Sequence, residues 1–150
     1  MPTINDIKKL REETGLGAMD CKRALLDAKG NFEKAKEILK ERGFEKAAQK
    51  SERRVCQGVV ESYSHLGKVG VILELNSETD FVARSPEFKN FAHDLVLQIA
   101  SMAPKSIEEL LKQPFIKDET KTIKDLLTEK IAKTGENILI KRFERWELGE

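Results

Sequence analysis

The stretch VGVILELNSETDFVARSPEF, residues 69–88, joins a strand pattern to a helix start and decides how the second half of the chain folds. Alternating apolar residues open it: Val69, Val71, Leu73 and Leu75. They share one face of an extended chain, which predicts a half-buried strand. Ser85 and Pro86 close the stretch with the signature of a helix N-terminus, because serine caps a first turn and proline fits its first position.

The junction between these two elements, TDFVAR, contains residues that are unusual in a short connection. Turns usually carry Gly, Asn, Ser or Pro, which satisfy or relax the backbone there. Here Asp80, Phe81 and Val82 stand in their place. Phe81 either packs beneath the junction as part of the core or is held out for a partner. The residue pattern alone favours the packed position, since large apolar side chains are most often buried.

The regions on both sides of this stretch complete an α+β unit. Before it, GVVESYSH and the turn LGK predict the first half of a hairpin. After it, five residues at helical spacing predict a buried helix face: Phe88, Phe91, Ala92, Leu95 and Ile99. A short helix capped by Ser106, a helix over TIKDLLTEKIAKTG and a third strand over NILIKRFERWEL follow. The predicted fold class is therefore α+β, with helices packed on a three-stranded antiparallel sheet.

The first 43 residues predict three short helices. Thr3 and Asp6 resemble a capping box at the start of the first helix. Glycines predict where the three helices end: Gly15, Gly30 and Gly43. So small a bundle is only marginally stable alone, which favours a docking module over an enzyme. We expect a three-helix domain over 1–45, a helical linker over 46–57 and an α+β core domain over 58–150.

Composition narrows the function classes. The chain has 150 residues, of which 27 are Lys or Arg and 26 are Asp or Glu. This balance argues against a protein that holds nucleic acid by bulk charge. Cys21 and Cys56 form no CxxC pair, which is typical of a reducing compartment rather than of a disulfide scaffold. Because neither a signal peptide nor a membrane-length apolar run is recognisable, we expect a soluble cytoplasmic protein.

The sequence offers little material for catalysis. It lacks a phosphate-binding loop motif, and GLG at 15–17 does not follow a strand or continue to a third glycine. His65 lies beside Ser62 and Ser64 near a predicted turn, where we expect it exposed, and His93 is expected half-buried on a helix. A nucleophile–base pair needs side chains that meet, and two histidines without clustered carboxylates make a poor metal site. We therefore expect no enzyme activity, no cofactor and no metal.

Four segments of the chain resemble the bacterial elongation factor Ts family. LREETGLGAMDCKRALLDAKGNFEKAKEILKERG is similar to its N-terminal helical module, and KVGVILELNSETDFVAR to its core strand and junction. QPFIKD and GENILIKRFERWELG are similar to its later core segments. The segments occur in order and span nearly the whole chain. The resemblance implies a guanine-nucleotide exchange factor for elongation factor Tu, the GTPase that delivers aminoacyl-tRNA to the ribosome.

The resemblance also implies roles for particular residues. It implies that four residues enter beside the partner's magnesium and phosphate site: Thr79, Asp80, Phe81 and Val82. It further implies that residues 1–45 form a ubiquitin-associated-like module in which Arg11 and Met19 contact the GTPase domain. Ala18 stands where family members often have a second Met, so we expect a smaller apolar contact there. With the resemblance taken into account, Phe81 is expected to be held out for the partner.

Two departures from the family bear on assembly. MAPKSIEELLKQPF passes straight through where longer relatives carry a helical hairpin, and only one core half is present. Since relatives with a single core half can act as homodimers, the resemblance implies a homodimer that forms a 2:2 complex with the GTPase. Glu144 stands where one such relative type has a cysteine, so we expect a noncovalent dimer. No direct nucleotide, DNA or membrane binding is expected.

Three other interpretations stay open. A pure interaction module would bind a partner without accelerating nucleotide release. An RNA-associated protein would use the basic stretch Lys46–Arg54, although glutamates interrupt it and a solvated linker helix is the favoured interpretation. RNA binding of that kind would depend steeply on salt. A small hydrolase would depend on His65, and replacing that residue would test it.

Overall fold

The computed structural model describes residues 2–150, which contain seven helices and five strands. The helices are α1 (Ile4–Thr14), α2 (Ala18–Asp27), α3 (Phe32–Lys50), α4 (Asp80–Ala83), α5 (Pro86–Met102), α6 (Ile107–Lys112) and α7 (Ile123–Thr134). The strands are β1 (Gln57–His65), β2 (Val69–Ser77), β3 (Pro114–Phe115), β4 (Asp118–Thr122) and β5 (Ile138–Glu147). The predicted α+β class is confirmed, with three N-terminal helices followed by a three-stranded antiparallel sheet that is packed with helices. None of the helices within residues 2–150 has the length and apolar character needed to span a membrane.

The chain divides into two compact units. The helical unit comprises the chain up to Lys50 together with residues 128–135, and the sheet unit comprises residues 51–127 and 136–150. Each unit has its own buried apolar residues. The tip that the sequence singled out lies in the sheet unit, and the predicted contact residues of the N-terminal module lie in the helical unit.

The helical unit closes over a small apolar core from its first three helices: Leu10, Cys21, Ala24, Leu25, Ala28, Ala35 and Leu39. The predicted capping box of α1 is confirmed, because the Thr3 N–H donates to Asp6 Oδ2 at 3.0 Å and Thr3 Oγ1 accepts from the Asp6 N–H at 3.1 Å. Gly15 follows α1 in the left-handed conformation, with φ of 72°, as its position predicts.

Gly43 does not end the third helix, so that prediction is wrong. α3 continues to Lys50, and Gly43 is buried within it. A Cβ atom on Gly43 would lie 3.6 Å from Thr128 Cγ2, so the glycine faces α7. A single glycine costs a helix only about 1 kcal/mol, which packing readily exceeds. Residues 51–56, predicted as the second half of a helical linker, instead lead into β1 without regular structure.

The sheet unit is built on three antiparallel strands in the order β1-β2-β5. The predicted hairpin and the predicted last strand are both confirmed. α5 packs on β1 and β2, and the alternating residues Val71, Leu73 and Leu75 of the central strand β2 are buried. All five predicted core residues of α5 are buried as well: Phe88, Phe91, Ala92, Leu95 and Ile99. The period-2 pattern of β2 and the helical pattern of α5 thus correctly predicted the two faces that pack against each other.

Gly58 permits a close approach between β1 and β2 at the end of the sheet next to the tip. Its φ is 155°, and a Cβ atom there would lie 2.1 Å from the Leu75 carbonyl oxygen and 2.8 Å from Asn76 Cα. Both neighbours are backbone atoms, which cannot rotate aside as a side chain can. This end of the hairpin therefore requires glycine at position 58.

A buried amide holds a short ribbon, β3 and β4, that the sequence did not predict. Gln98 of α5 is fully buried, and its Nε2 donates to the Pro114 carbonyl oxygen at 3.0 Å and to Gln113 Oε1 at 3.2 Å. Its Oε1 accepts from the Ile116 N–H at 2.9 Å. These bonds satisfy a polar group that burial would otherwise penalise. They attach the segment after α6 to α5.

Candidate partner-binding site

The segment between β2 and α5 forms a compact tip, defined as Thr79–Val82. Thr79 has an extended backbone, with φ of −120° and ψ of 155°, and it is the N-cap of the single-turn helix α4. Its Oγ1 accepts a hydrogen bond from the Val82 N–H at 3.3 Å. At the other end of the turn, Ser85 Oγ donates to the Val82 carbonyl oxygen at 2.7 Å and then caps α5. Hydrogen bonds to side chains therefore close both ends of the tip.

Phe81 and Val82 point to opposite environments. The side chain of Phe81 is 84% exposed, whereas Val82 is 7% exposed and Ala83 is also buried. Val82 is thus the residue that anchors the junction in the core, and the packed position that the apolar pattern favoured for Phe81 is wrong. One helical turn explains the difference, because successive residues of a helix face directions about 100° apart. The exposed position agrees with the expectation from the family resemblance.

Asp80 presents a carboxylate beside the exposed aromatic ring. Its Oδ2 lies 3.3 Å from Arg84 Nη2, four residues later, and both side chains are largely exposed. An ion pair in such surroundings contributes less than about 1 kcal/mol. Asp80 can therefore exchange Arg84 for a different polar partner at little cost.

Glu136 holds the base of the tip, and sequence reasoning missed it. Its Oε1 accepts from the Thr79 N–H at 3.0 Å, and its Oε2 accepts from Thr79 Oγ1 at 2.7 Å. Ser77 Oγ also donates to the Thr79 carbonyl oxygen at 2.8 Å. Because Glu136 follows Thr79 by 57 positions, no local spacing pointed to it. The available signal was the segment GENILIKRFERWELG, which was recognised only as part of the core.

Arg11 and Met19, the predicted contact residues of the N-terminal module, lie in the helical unit. Arg11 is exposed in the last turn of α1, where its carbonyl oxygen accepts from the Gly15 N–H at 2.8 Å. Met19 is the second residue of α2 and is 59% exposed. Ala18, which precedes it, is exposed as well. Both predicted contact side chains are accordingly accessible on this unit.

The two histidines do not form a hydrolytic site with the neighbouring serines. His65 is exposed at the end of β1, as predicted, and its Nδ1 lies 2.7 Å from the Tyr63 hydroxyl. Ser62 and Ser64 project from the opposite face of β1, because successive strand residues alternate. His93 is exposed rather than half-buried, so that prediction is wrong, and its ring meets Tyr63 edge-on at 6.3 Å. Among residues 2–150 no group of three or more His, Cys, Asp or Glu side chains is placed to hold a metal ion.

Two cations of the basic stretch Lys46–Arg54 have acidic neighbours, each within its own unit. Lys46 Nζ lies 3.6 Å from Asp20 Oδ2 in the helical unit. Arg53 Nη1 lies 3.6 Å from Glu78 Oε1 in the sheet unit. Two of the four cations that the RNA-binding interpretation requires are thus already close to carboxylates.

Comparisons with known proteins identify relatives of this chain. A profile of the family described as "Elongation factor TS" matches residues 78–150, which include the tip and Glu136. A curated "Elongation factor Ts" from Carboxydothermus hydrogenoformans is 44% identical, and the alignment covers 100% of this chain and 90% of the relative. Those from Alkaliphilus oremlandii and Coprothermobacter proteolyticus are each 42% identical, over 99% and 96% of this chain and 89% and 96% of the relatives.

These relatives show that the protein is a translation elongation factor. The chain belongs to the elongation factor Ts family. The alignments with the relatives from Alkaliphilus oremlandii and Carboxydothermus hydrogenoformans extend over 193 and 196 positions, whereas the chain has 150 residues. Those relatives therefore contain residues that have no counterpart in this chain.

Proposed function

We propose that this protein binds elongation factor Tu in its GDP-bound state and promotes the release of GDP, so that GTP can reload the GTPase. It performs no covalent chemistry of its own. Family membership supports the identity of the partner. The observation that carries the proposal is the 84% exposure of Phe81 on a turn that hydrogen bonds close at both ends. The activity belongs in the cytoplasm, where aminoacyl-tRNA is delivered to ribosomes.

Phe81 supplies the apolar contact in this proposal. Aromatic side chains dominate the energetics of interface centres, and burying one contributes roughly 1.5–3 kcal/mol. The ring inserts between elements of the partner as a wedge. Since Val82 is buried and Thr79 caps the turn, the ring is already in position before binding. Such preorganisation lowers the ordering cost of association.

Asp80 acts on the polar part of the partner's site. GTPases hold GDP through backbone N–H groups of a phosphate loop and through Mg²⁺ that bridges to the phosphates. The carboxylate of Asp80 competes for the polar groups that organise the metal, or repels phosphate. Its ion pair with Arg84 is exposed and weak, which supports this exchange of partners.

Thermodynamic linkage gives the direction of the cycle. If the factor weakens GDP binding to elongation factor Tu, GDP weakens the binding of the factor by the same ratio. In the proposed cycle, the factor and GDP bind elongation factor Tu together in a ternary complex, GDP then leaves, and GTP finally displaces the factor. None of these steps needs a nucleophile or a general base in this chain.

The N-terminal residues are proposed to dock on the GTPase domain. In this division, residues 1–45 form a ubiquitin-associated-like module, residues 46–57 connect it, and residues 58–150 form the core domain. Arg11 and Met19 make the contact. Their exposure supports the assignment, and Met19 adds a flexible apolar side chain suited to an adaptable interface.

A homodimer in a 2:2 complex with the GTPase completes the proposal, and the open face of the sheet supports it. Opposite α5, the three strands expose four large apolar side chains: Val60, Ile72, Leu139 and Trp146. Glu144 pairs with Ile72 on that face, so no cysteine is available there for a disulfide. Light scattering should give twice the 17.0 kDa chain mass, and Ile72→Lys should halve it. A wild-type mass of one chain at working concentration would exclude the dimer.

Stopped-flow release of fluorescent GDP from elongation factor Tu tests the proposed activity. We expect an acceleration that saturates with the concentration of this protein. Binding to elongation factor Tu is measured in parallel by titration. Binding without faster release would leave a pure interaction module, and the absence of both would remove the proposal.

A further inference from the structure

The turn between α7 and β5, residues 135–137, makes several long-range hydrogen bonds to the base of the tip. Its Glu136 carboxylate accepts from two donors on one residue: the Thr79 N–H at 3.0 Å and Thr79 Oγ1 at 2.7 Å. Charge-assisted bonds are stronger than neutral ones, and two bonds fix orientation as well as distance. Glu136 therefore fixes the orientation of the Thr79 backbone N–H and hydroxyl at the start of α4.

The hydroxyl of Thr79 connects Glu136 to the helical turn. A threonine hydroxyl has one hydrogen to donate and two lone pairs with which to accept. Because the hydrogen is directed to Glu136, a lone pair is left facing the Val82 N–H, which donates to Oγ1 at 3.3 Å. Hydrogen bonds in such a chain strengthen one another. The carboxylate thus supports the cap that orients Phe81 outward and Val82 inward.

Asn137 secures the same turn from the other side. Its backbone N–H donates to Glu78 Oε1 at 2.8 Å, and its Nδ2 donates to the Arg53 carbonyl oxygen at 3.0 Å and to that of Ser51 at 3.4 Å. Asn137 is buried, and Glu78 directly precedes Thr79. The bonds of Asn137 therefore hold the backbone next to Glu136 in place, so the Glu136 carboxylate can hold Thr79 in one orientation.

We propose that Glu136 is a positioning residue for the tip. It holds Thr79 so that α4 stays formed and Phe81 stays projected in the free protein. α4 has only four residues, and a helix of that length does not persist without external support. The role of the projected Phe81 ring in GDP release rests on the proposed function. The conformation of the tip, in contrast, can be measured without any partner.

Glu136→Gln is the test variant, because it keeps the shape of the side chain. The amide retains one acceptor, but its NH₂ group would face one of the two Thr79 donors. Glu119→Gln is the matched control, since Glu119 is exposed on β4 and the change in charge is the same. Thr79→Val removes the hydroxyl from the other partner of the pair and serves if Glu136→Gln folds poorly.

The first readout is amide hydrogen exchange of residues 80–84 in the free chain. We expect exchange about tenfold faster in Glu136→Gln, in line with the loss of a charge-assisted hydrogen bond, and no change in Glu119→Gln. Circular dichroism and the unfolding temperature should stay close to wild type. Unchanged exchange at the tip in both Glu136→Gln and Thr79→Val would overturn the inference.

The second readout separates positioning from binding. In Glu136→Gln the maximal rate of GDP release should fall about tenfold, while the half-saturating concentration changes far less, because only the ordering of the tip is impaired. A looser tip with an unchanged maximal rate would overturn the positioning role. If the wild-type chain accelerates no GDP release, the proposed function fails, and amide exchange alone then decides whether Glu136 holds the tip.

Discussion

Thr3 and Thr79 each begin a helix, and they obtain their carboxylate partners in different ways. Thr3 pairs with Asp6, the third residue of α1, so the whole capping box lies within four residues. Thr79 makes the corresponding N–H bond to Glu136, which follows it by 57 positions. The local box caps only the start of α1. The long-range version also attaches the tip to another part of the sheet unit, so the same chemistry at Thr79 fixes tertiary structure.

Gly58→Ala should have the largest effect on stability, because it disrupts the pairing of β1 with β2 next to the tip. The new Cβ atom would meet backbone at 2.1 Å, and we expect a loss of roughly 3 kcal/mol in the free energy of unfolding. Gly70→Ala is the matched control in β2, where a Cβ atom would find open space. Urea denaturation of both variants checks this. Equal stability of the two would show that β1 and β2 can separate at the tip end.

Val82→Ala and Phe81→Ala should affect different properties although the two residues are neighbours. The first should lower stability, and the second should lower GDP release while leaving stability nearly unchanged. Val82 is buried, so its truncation should cost about 2 kcal/mol of unfolding free energy. Phe81 is 84% exposed, and its truncation should leave stability nearly unchanged. The same denaturation series measures both. A large loss of stability in Phe81→Ala would mean that its ring packs on the fold in solution.

Thr79→Val and Thr3→Val compare the two caps directly, since valine keeps the shape and removes the hydroxyl. We expect Thr79→Val to cost about 1–2 kcal/mol, because it removes the cap of α4 and also one bond to the distant Glu136. Thr3→Val should cost less than about 0.5 kcal/mol in global stability, since the first turn of α1 can fray locally. Unfolding free energies of the pair provide the measurement. A reversed order would contradict the distinction between the two caps.

The smallest effect should appear in acid at the local cap. The backbone N–H and hydroxyl of Thr3 hold the pKa of Asp6 below its ordinary value of 3.8. A carboxyl with a lowered pKa stabilises the folded state above its unfolded pKa, and that contribution is lost as pH falls through the folded pKa. We expect the Asp6 carboxyl resonance to titrate below 3.8 in wild type and to move upward in Thr3→Val. Identical titrations would show that the box does not persist in solution.

The sequence predicted those features that depend on neighbouring residues. Thr3 with Asp6, Ser85 with Pro86, and the alternation from Val69 to Leu75 each act within a few positions, and the structure confirms them. Gly43 was misjudged because contact with α7 outweighs its weak helix propensity. Local pattern thus predicted the main helices and strands but not α4, β3 and β4, and it could not predict packing that overrides helix propensity.

The candidate site was predictable only in part. The resemblance singled out Thr79–Val82, but the orientation of Phe81 depends on which residue of α4 is buried. Glu136 was missed because its partner Thr79 lies 57 positions away. Gln98 was missed because its partners lie 15 or more positions away, next to or within a ribbon that the sequence did not predict. A buried or bridging polar residue has no periodicity by which to recognise it.

The central claim is that the projected ring of Phe81 drives GDP release. The most direct test is the maximal rate of GDP release from elongation factor Tu with Phe81→Ala against wild type. Leu148→Ala is the control, because Leu148 is 78% exposed and its N–H bonds to Lys68 at the opposite end of β2. We predict a loss of at least about tenfold in Phe81→Ala, corresponding to the contribution of one buried aromatic side chain, and wild-type behaviour in Leu148→Ala. A Phe81→Ala protein that is folded and releases GDP at the wild-type rate would contradict the claim.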